Sequence, residues 1–333
     1  METTVIDGEF GEGGGQIVRS ALTYSVIKRQ PIEIINIRKR RQKPGLRPQH
    51  VTAAMLLAKI SNATLDGATI GSSKIKFNPN KVINSKLKED VGTAGSISLI
   101  LQVLVPAVAI SKRSMHLTIR GGTDVGWSPT MDYIRFVLLE AYSRMGIQCS
   151  VKVKKRGYYP KGAGCIELSV MPSQKVEPIV LNHRKTTHAK ITCSYSQINQ
   201  DVIKQEVKKI EAKLKKDFTV STEMIQEPAI DKGSAILIYS IDENSVIGVD
   251  CLFENGFKEK IADRFLNSRL GLDENLADMV VLPASLAQGQ SVFTVPKITK
   301  HLETNLYVAE KITGCKYGVG KLSNGFEVRI NEN

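Results

Sequence analysis

Val5-Ile6-Asp7-Gly8, followed by Gly11-Glu12-Gly13-Gly14-Gly15-Gln16-Ile17-Val18-Arg19-Ser20-Ala21-Leu22, is the stretch from which the fold can be read. Residues of extended character run into a glycine-rich turn, and the turn runs into apolar residues at helical spacing. A strand feeding a helix in this way is the entry to an α/β unit. The turn also presents free backbone N–H groups at the positive end of a helix dipole, which suits an anion. Close packing, which glycine permits, is the plainer reading, and the stretch alone leaves both open. No Lys-Ser/Thr follows the glycines, so this is not a P-loop. Glu12 is the odd member, because a carboxylate beside an anion is repelled unless a cation lies between them.

The same pattern recurs twice. Val91-Gly92-Thr93-Ala94-Gly95-Ser96 leads into a helix-like run through Gln102 to Pro106, and Gly121-Gly122-Thr123-Asp124 leads into Met131 to Met145. Strand-like partners stand nearby at Lys74 to Phe77 and Met115 to Ile119. The chain therefore reads as a mixed α/β (α+β) fold built on a repeated unit. Its character changes after about Asn182. There Asp201 to Phe218 carries Ile203, Val207, Ile210 and Leu214 on one face and lysines on the other. Strands at Ala235 to Ser240 and Ser245 to Leu252 and a helix-like piece at Lys258 to Leu270 complete a βαββα insert of about ninety residues. The expected division is a core of residues 1–181 and 272–333 with a smaller α/β domain, 182–271, inserted late. The insert shows no catalytic constellation, and its lysines read as a solvated face.

Composition narrows the class. The 333 residues are 42% hydrophobic, enough for a substantial core, and no apolar run reaches the ~20 residues of a membrane span. Met1 to Thr4 leads into a strand without a basic, apolar signal sequence, and the five cysteines (Cys149, Cys165, Cys193, Cys251, Cys315) form no CxxC pair. They read as reduced core thiols, neither metal ligands nor disulfides, in a cytoplasmic protein. A net charge of +13 favours polyanionic partners. Six of the cations fall in Arg38-Lys39-Arg40-Arg41-Gln42-Lys43-Pro44-Gly45-Leu46-Arg47-Pro48-Gln49-His50, a loop stiffened by proline and glycine after the strand-like Ile32 to Ile37. Fixed guanidinium forks suit phosphate oxygens.

Near the C-terminus lies Lys297-Ile298-Thr299-Lys300-His301-Leu302-Glu303-Thr304-Asn305, with the apolar Leu306 to Ala309 reading as a helix start. A neutral imidazole beside donors can attack a phosphorus. A capping or surface histidine is the plain alternative.

Taken in order, these stretches resemble the RNA 3'-terminal phosphate cyclases. The resemblance is carried by Glu12 to Gln16 with Arg19-Ser20, Lys43-Pro44-Gly45-Leu46 with Gln49-His50, and Gly95-Ser96 with Gln102. It continues through Gly121 to Asp124, Tyr159-Pro160 with Gly162 and Gly164, Leu276-Ala277-Asp278, and His301 with Thr304-Asn305. It implies a core of three βαβαββ-type repeats and a smaller domain inserted late. It further implies an ATP-dependent conversion of an RNA 3'-phosphate to a 2',3'-cyclic phosphodiester, through a histidine–AMP and an RNA-adenylate. His301 would be the nucleophile. Gln102 and Asn275, Leu276, Ala277, Asp278 and Met279 would contact ATP. Arg19, Arg38, Arg41, Gln49 and His50 would hold phosphate or RNA, Arg40 would be a substitute for one of the arginines, and Glu12 would hold Mg or Mn. RNA 3' ends are the implied partner, and a homodimer is left open. Met279 stands where bacterial relatives commonly carry Gln, and Pro48 is an unrequired proline beside Arg47.

Two competing readings come from the same resemblance. Inactive cyclase-like ribosome-assembly proteins lack the histidine nucleophile, whereas here His301 stands in its full setting. Enolpyruvyl transferases share the repeat, but their signature sites do not appear. Steering of RNA by the insert would rest on its lysines.

Overall fold

The computed structural model describes residues 2–257 and 260–331. The chain opens with β1 (Thr4–Asp7), α1 (Gln16–Lys28), β2 (Ile32–Ile35), α2 (Pro48–Ser61), β3 (Thr64–Asp66) and β4 (Ile75–Asn78). Next come β5 (Ser85–Asp90), α3 (Ile97–Ile110), β6 (Met115–Gly121), a helix in two pieces, α4 (Met131–Tyr133) and α5 (Leu139–Arg144), joined by a π-helical turn at Ile134–Leu138, then β7 (Cys149–Lys155) and β8 (Gly164–Val170). After β9 (Val180–Leu181) the chain forms β10 (His188–Ser196), α6 (Gln200–Leu214), β11 (Thr219–Gln226), β12 (Gly233–Asp242), β13 (Ser245–Leu252) and α7 (Lys260–Asn267). It ends with α8 (Leu276–Ala284), β14 (Ser291–Val295), α9 (Lys300–Thr313), β15 (Tyr317–Leu322) and β16 (Gly325–Ile330).

The mixed α/β class is as expected from sequence. Three four-stranded sheets share one order: β1-β2-β4-β3, β5-β6-β8-β7 and β9-β14-β16-β15. In each, the first pair is parallel and the remaining pairs are antiparallel. Strands such as β6 and β8 alternate buried and outward residues, so each sheet covers the core with one face only. The helices lie on that inner side. α1 packs against α2, α3 and α9, α3 against α8, and α8 against α9. α1 is buried from Gln16 to Val26, polar residues included.

The segment from β10 to α7 forms the fourth sheet, β11-β10-β12-β13, and its own apolar core around Ile203, Val207, Ile238 and Phe265. Two polar hubs fasten it to the rest. Wholly buried Arg156 donates Nη1 to Asp124 at 3.1 Å, Nη2 to Asp132 at 2.9 Å and Nε to Glu227 of the segment at 2.5 Å. Buried Asp273 accepts from the Tyr133 hydroxyl at 2.8 Å, from Gly248 N at 2.9 Å, and from Asn275 and Leu276 N at 2.9 Å, which caps α8.

Several boundaries differ from those expected. α3 runs on through Pro106 to Ile110, because its burial on all sides outweighs one missing N–H. Of the three glycine-rich starts, the first precedes α1 and the other two both fall within the β5–β8 stretch. The last sheet has no counterpart of its own, because the chain between β9 and α8 is occupied by the β10–α7 segment. Positions 258 and 259 of the expected Lys258 to Leu270 helix lie outside the described residues. No helix among the described residues is long and apolar enough to cross a membrane, and all five cysteines are free thiols.

Candidate active site

The site forms where the N-termini of α1 and α9 converge. α9 starts at Lys300, before the apolar run, because the Thr299 side chain accepts from Leu302 N at 3.1 Å and caps it. His301 thus sits in the first turn, beside backbone donors that no helical carbonyl takes up. The glycine turn docks against the same end. At Gly11, with φ +63°, a Cβ would fall 2.3 Å from Thr304 Oγ1, and Glu12 N donates to that oxygen at 3.4 Å. Asn305 ties three helices together. Its Oδ1 accepts from Gln16 Nε2 at 3.2 Å and Ser20 Oγ at 2.5 Å, and its Nδ2 donates to the Asp278 carbonyl at 2.6 Å.

Glu12 links the cationic loop to the histidine. Arg41 Nη2 donates to Glu12 Oε1 and, at 3.2 Å, to the Glu12 carbonyl. Oε2 lies 3.3 Å from His301 Nδ1 but off the hydrogen-bonding line, and this buried oxygen has no donor. Burial, Arg19 and Arg41 lower the pKa of His301 below the ordinary 6.5, so the ring is neutral at pH 7.

Arg19 is 9% exposed, and burial lowers its pKa to about 10. Its Nη2 donates to Gln16 Oε1, while Nε has no partner. Arg38 Nη2 donates to the Lys43 carbonyl at 3.4 Å, and its Nε is also unpaired. Buried His50 has a pKa pushed down to about 3 by desolvation and by Arg19, Arg38 and Arg47. Its Nδ1 accepts from Arg47 N at 3.1 Å, which places the proton of this neutral ring on Nε2. Arg40 turns outward to Glu9 at 2.5 Å.

Two cavities meet at His301. The larger, about 970 Å³, is floored by Glu12, Arg19, Arg38, Arg41, Gln49 and His50. Its outer wall comes from the loop at Val125 to Ser128, from Tyr158-Tyr159, and from Lys232 to Ser234 and Leu252 to Glu254 of the β10–α7 segment. The smaller, about 510 Å³, is lined by Gln102, Asn275, Asp278, Met279, Thr299 and His301, among others. Burial raises the carboxyl of Asp278 to about 7, partly countered by Arg19. Gln102 Nε2 lies 3.6 Å from the Met279 sulfur.

The predicted residues thus gather around His301, except that Leu276 and Ala277 are wholly buried and line neither cavity. Sequence reading missed Trp127, Lys232 and Phe253 on the rim, and took Tyr159 only as a bearer of the resemblance. It also missed Arg156, since its three carboxylates are brought together only by the fold. Asp124, read as part of a glycine-rich start, binds Arg156 and accepts from Met131 N at 2.9 Å, capping α4.

Comparison with known proteins agrees with this geometry. A family model described as RNA 3'-terminal phosphate cyclase matches residues 10–319. The chain is similar to proteins named RNA 3'-terminal phosphate cyclase from three archaea. That of Korarchaeum cryptofilum is 34% identical over 96% of each chain. That of Caldivirga maquilingensis is 36% identical over 98% of this chain and 97% of the relative. That of Thermococcus gammatolerans is 35% identical over 99% of this chain and 98% of the relative. With the match running through both cavities and past His301, this chain belongs to the RNA 3'-terminal phosphate cyclase family.

Proposed function

We propose that the protein uses ATP to convert an RNA 3'-terminal phosphate to a 2',3'-cyclic phosphodiester, with His301 as the transient carrier of AMP. The observation that carries this reading is the position of His301: a neutral imidazole in the first turn of α9, where an arginine-floored cavity meets a second one. A small turn of the ring would bring Nδ1–H onto Glu12 Oε2, 3.3 Å away, and that tautomer leaves the lone pair on Nε2.

Nε2 attacks the α-phosphorus of ATP, the bond to the bridging oxygen of the β-phosphate breaks, and pyrophosphate leaves with that electron pair. The ring then carries AMP on Nε2 and a proton on Nδ1, a cation that the Glu12 carboxylate faces. An oxygen of the RNA 3'-phosphate displaces neutral His301 from the same phosphorus. Finally the adjacent 2'-hydroxyl attacks the 3'-phosphorus, its proton passes to solvent, and AMP leaves.

The chain's own residues serve these steps. Arg19, Arg38 and Arg41 meet the charge on phosphoryl oxygens. The Nε2–H of neutral His50 is a further donor to the RNA phosphate, with Gln49 beside it. Gln102, Asn275, Asp278 and Met279 line a cavity of a size that accepts the nucleoside of ATP, and Asp278, raised to about 7, can accept from ribose hydroxyls. Leu276 and Ala277 contribute through the backbone of α8, since their side chains are in the core.

The donor-free, buried Oε2 of Glu12 fits a divalent ion, Mg or Mn, held by this single carboxylate together with phosphate oxygens. Such an ion would neutralise phosphate charge when bound. The assembly-factor reading gains no support from a histidine set in this way.

Incubation with α-labelled ATP and a divalent metal tests the reading. Acid-labile, alkali-stable label on the wild-type chain and none on His301→Ala is the expected result. A folded, ATP-binding wild type that takes no label would overturn it.

A further inference from the structure

Trp127 is the only tryptophan in the chain, and it is wholly exposed, at 103%. An indole offers more apolar surface than any other side chain, so a bare one held on a fixed loop is unusual. The loop is fixed from below. Val125 is buried, Ser128 Oγ donates to the Val125 carbonyl at 2.9 Å, and Thr130 N donates to Asp250 Oδ2 at 2.7 Å. Trp127 itself has φ +65°, a conformation that bulky residues avoid unless the surroundings impose it.

This indole borders both cavities, and so stands at the approach to His301. The larger cavity has two further rim aromatics, Tyr159 at 77% exposure and Phe253, and its cationic lining includes Arg38, Arg41, Arg47 and Lys232. Aromatic faces set among cations are what holds single-stranded nucleic acid, because phosphates take the charges and every base offers a π-face. Of these exposed aromatics the smaller cavity has Trp127 alone; its Tyr133 ring is buried and bonded to Asp273, and its cations are Arg19 and Arg264.

We propose that Trp127 is the stacking platform for the nucleobase at the 3' end of the RNA acceptor, holding the terminal phosphate at His301; this rests on the cyclase reading above. Stacking reads no base edge, so the platform accepts any of the four bases.

A single tryptophan makes the intact protein its own reporter. The probes are a short 3'-phosphorylated oligoribonucleotide, the same oligonucleotide with an abasic 3'-terminal nucleotide, and ATP alone. Binding is followed in parallel by anisotropy of a 5'-label. Strong quenching of Trp127 by the first probe, little by the abasic one and none by ATP is the expected result. Trp127→Ala raises KM for the oligonucleotide by about tenfold, leaves KM for ATP in place, and Trp127→Phe recovers most of the loss. Oligonucleotide that binds without quenching, or an unchanged KM in Trp127→Ala, overturns the platform and leaves the cyclase reading standing. Quenching by ATP alone also overturns it and moves the indole to the nucleotide. Failure of the wild type to bind the oligonucleotide overturns both.

Discussion

Glu12 faces His301 with one carboxylate oxygen, at 3.3 Å from Nδ1, while Arg41 holds the other. A turn near the N-terminus therefore aims a ring on the last helix, and a cation fixes the aim.

Removing that aim should cost rate rather than fold. Glu12→Ala is expected to slow histidine adenylation by about 10²-fold or more, with Glu12→Gln in between because it keeps an acceptor oxygen near Nδ1 without the charge. Single-turnover labelling measures this, and an alanine variant as fast as wild type would remove Glu12 from the chemistry.

Gly15 has no room for a side chain. A Cβ there would fall 2.1 Å from His50 Nε2 and 3.1 Å from Arg19 Nη1. Gly15→Ala is expected to displace both side chains, to lower stability by about 1–3 kcal/mol and to weaken RNA binding. Thermal unfolding and oligonucleotide affinity, measured together, check both.

Asp278 carries a pH signature. Its folded carboxyl titrates near 7, above the ordinary 3.8, because burial penalises its charged form. The unfolded chain therefore releases this proton first, and stability present below pH 3.8 is lost as pH rises through 7. Asp278→Asn should raise the melting temperature at pH 8, have little effect at pH 4, and weaken ATP binding. Equal melting shifts at both pH values would contradict the assignment.

Arg156 is the buried cation that three carboxylates require. Arg156→Met leaves them without it, and a loss of about 3–5 kcal/mol is expected. Chemical denaturation measures it; a loss below about 1 kcal/mol would show that the carboxylates find other partners.

Legibility in sequence followed the range of the forces involved. The turn before α1, the amphipathic α6 and the strands β12 and β13 are local patterns, and they read true. The apolar run Leu306 to Ala309 suggests a helix start at Leu306, since Leu302 is the one apolar residue in Lys300 to Asn305, although Thr299 is a sound cap signal. Asp124, Asp132, Arg156 and Glu227 give no local sign of their meeting, nor does the indole of Trp127 announce itself as exposed. On and just after α6, Lys209 pairs with Glu206, Lys213 with Asp263 and Lys215 with Glu211, while the cations the segment gives the two cavities are Lys232 and Arg264.

The β10–α7 segment leaves and rejoins the core at one place. A Cβ on Gly271 would lie 2.0 Å from the Leu181 carbonyl oxygen, and His183 bridges to Leu270. Both ends thus pass through a single doorway, and between them the segment sends Asp250 and Arg264 to the cavity beside His301 and Glu227 to Arg156. Whatever displaces the segment at that doorway therefore moves part of the wall of both cavities at once.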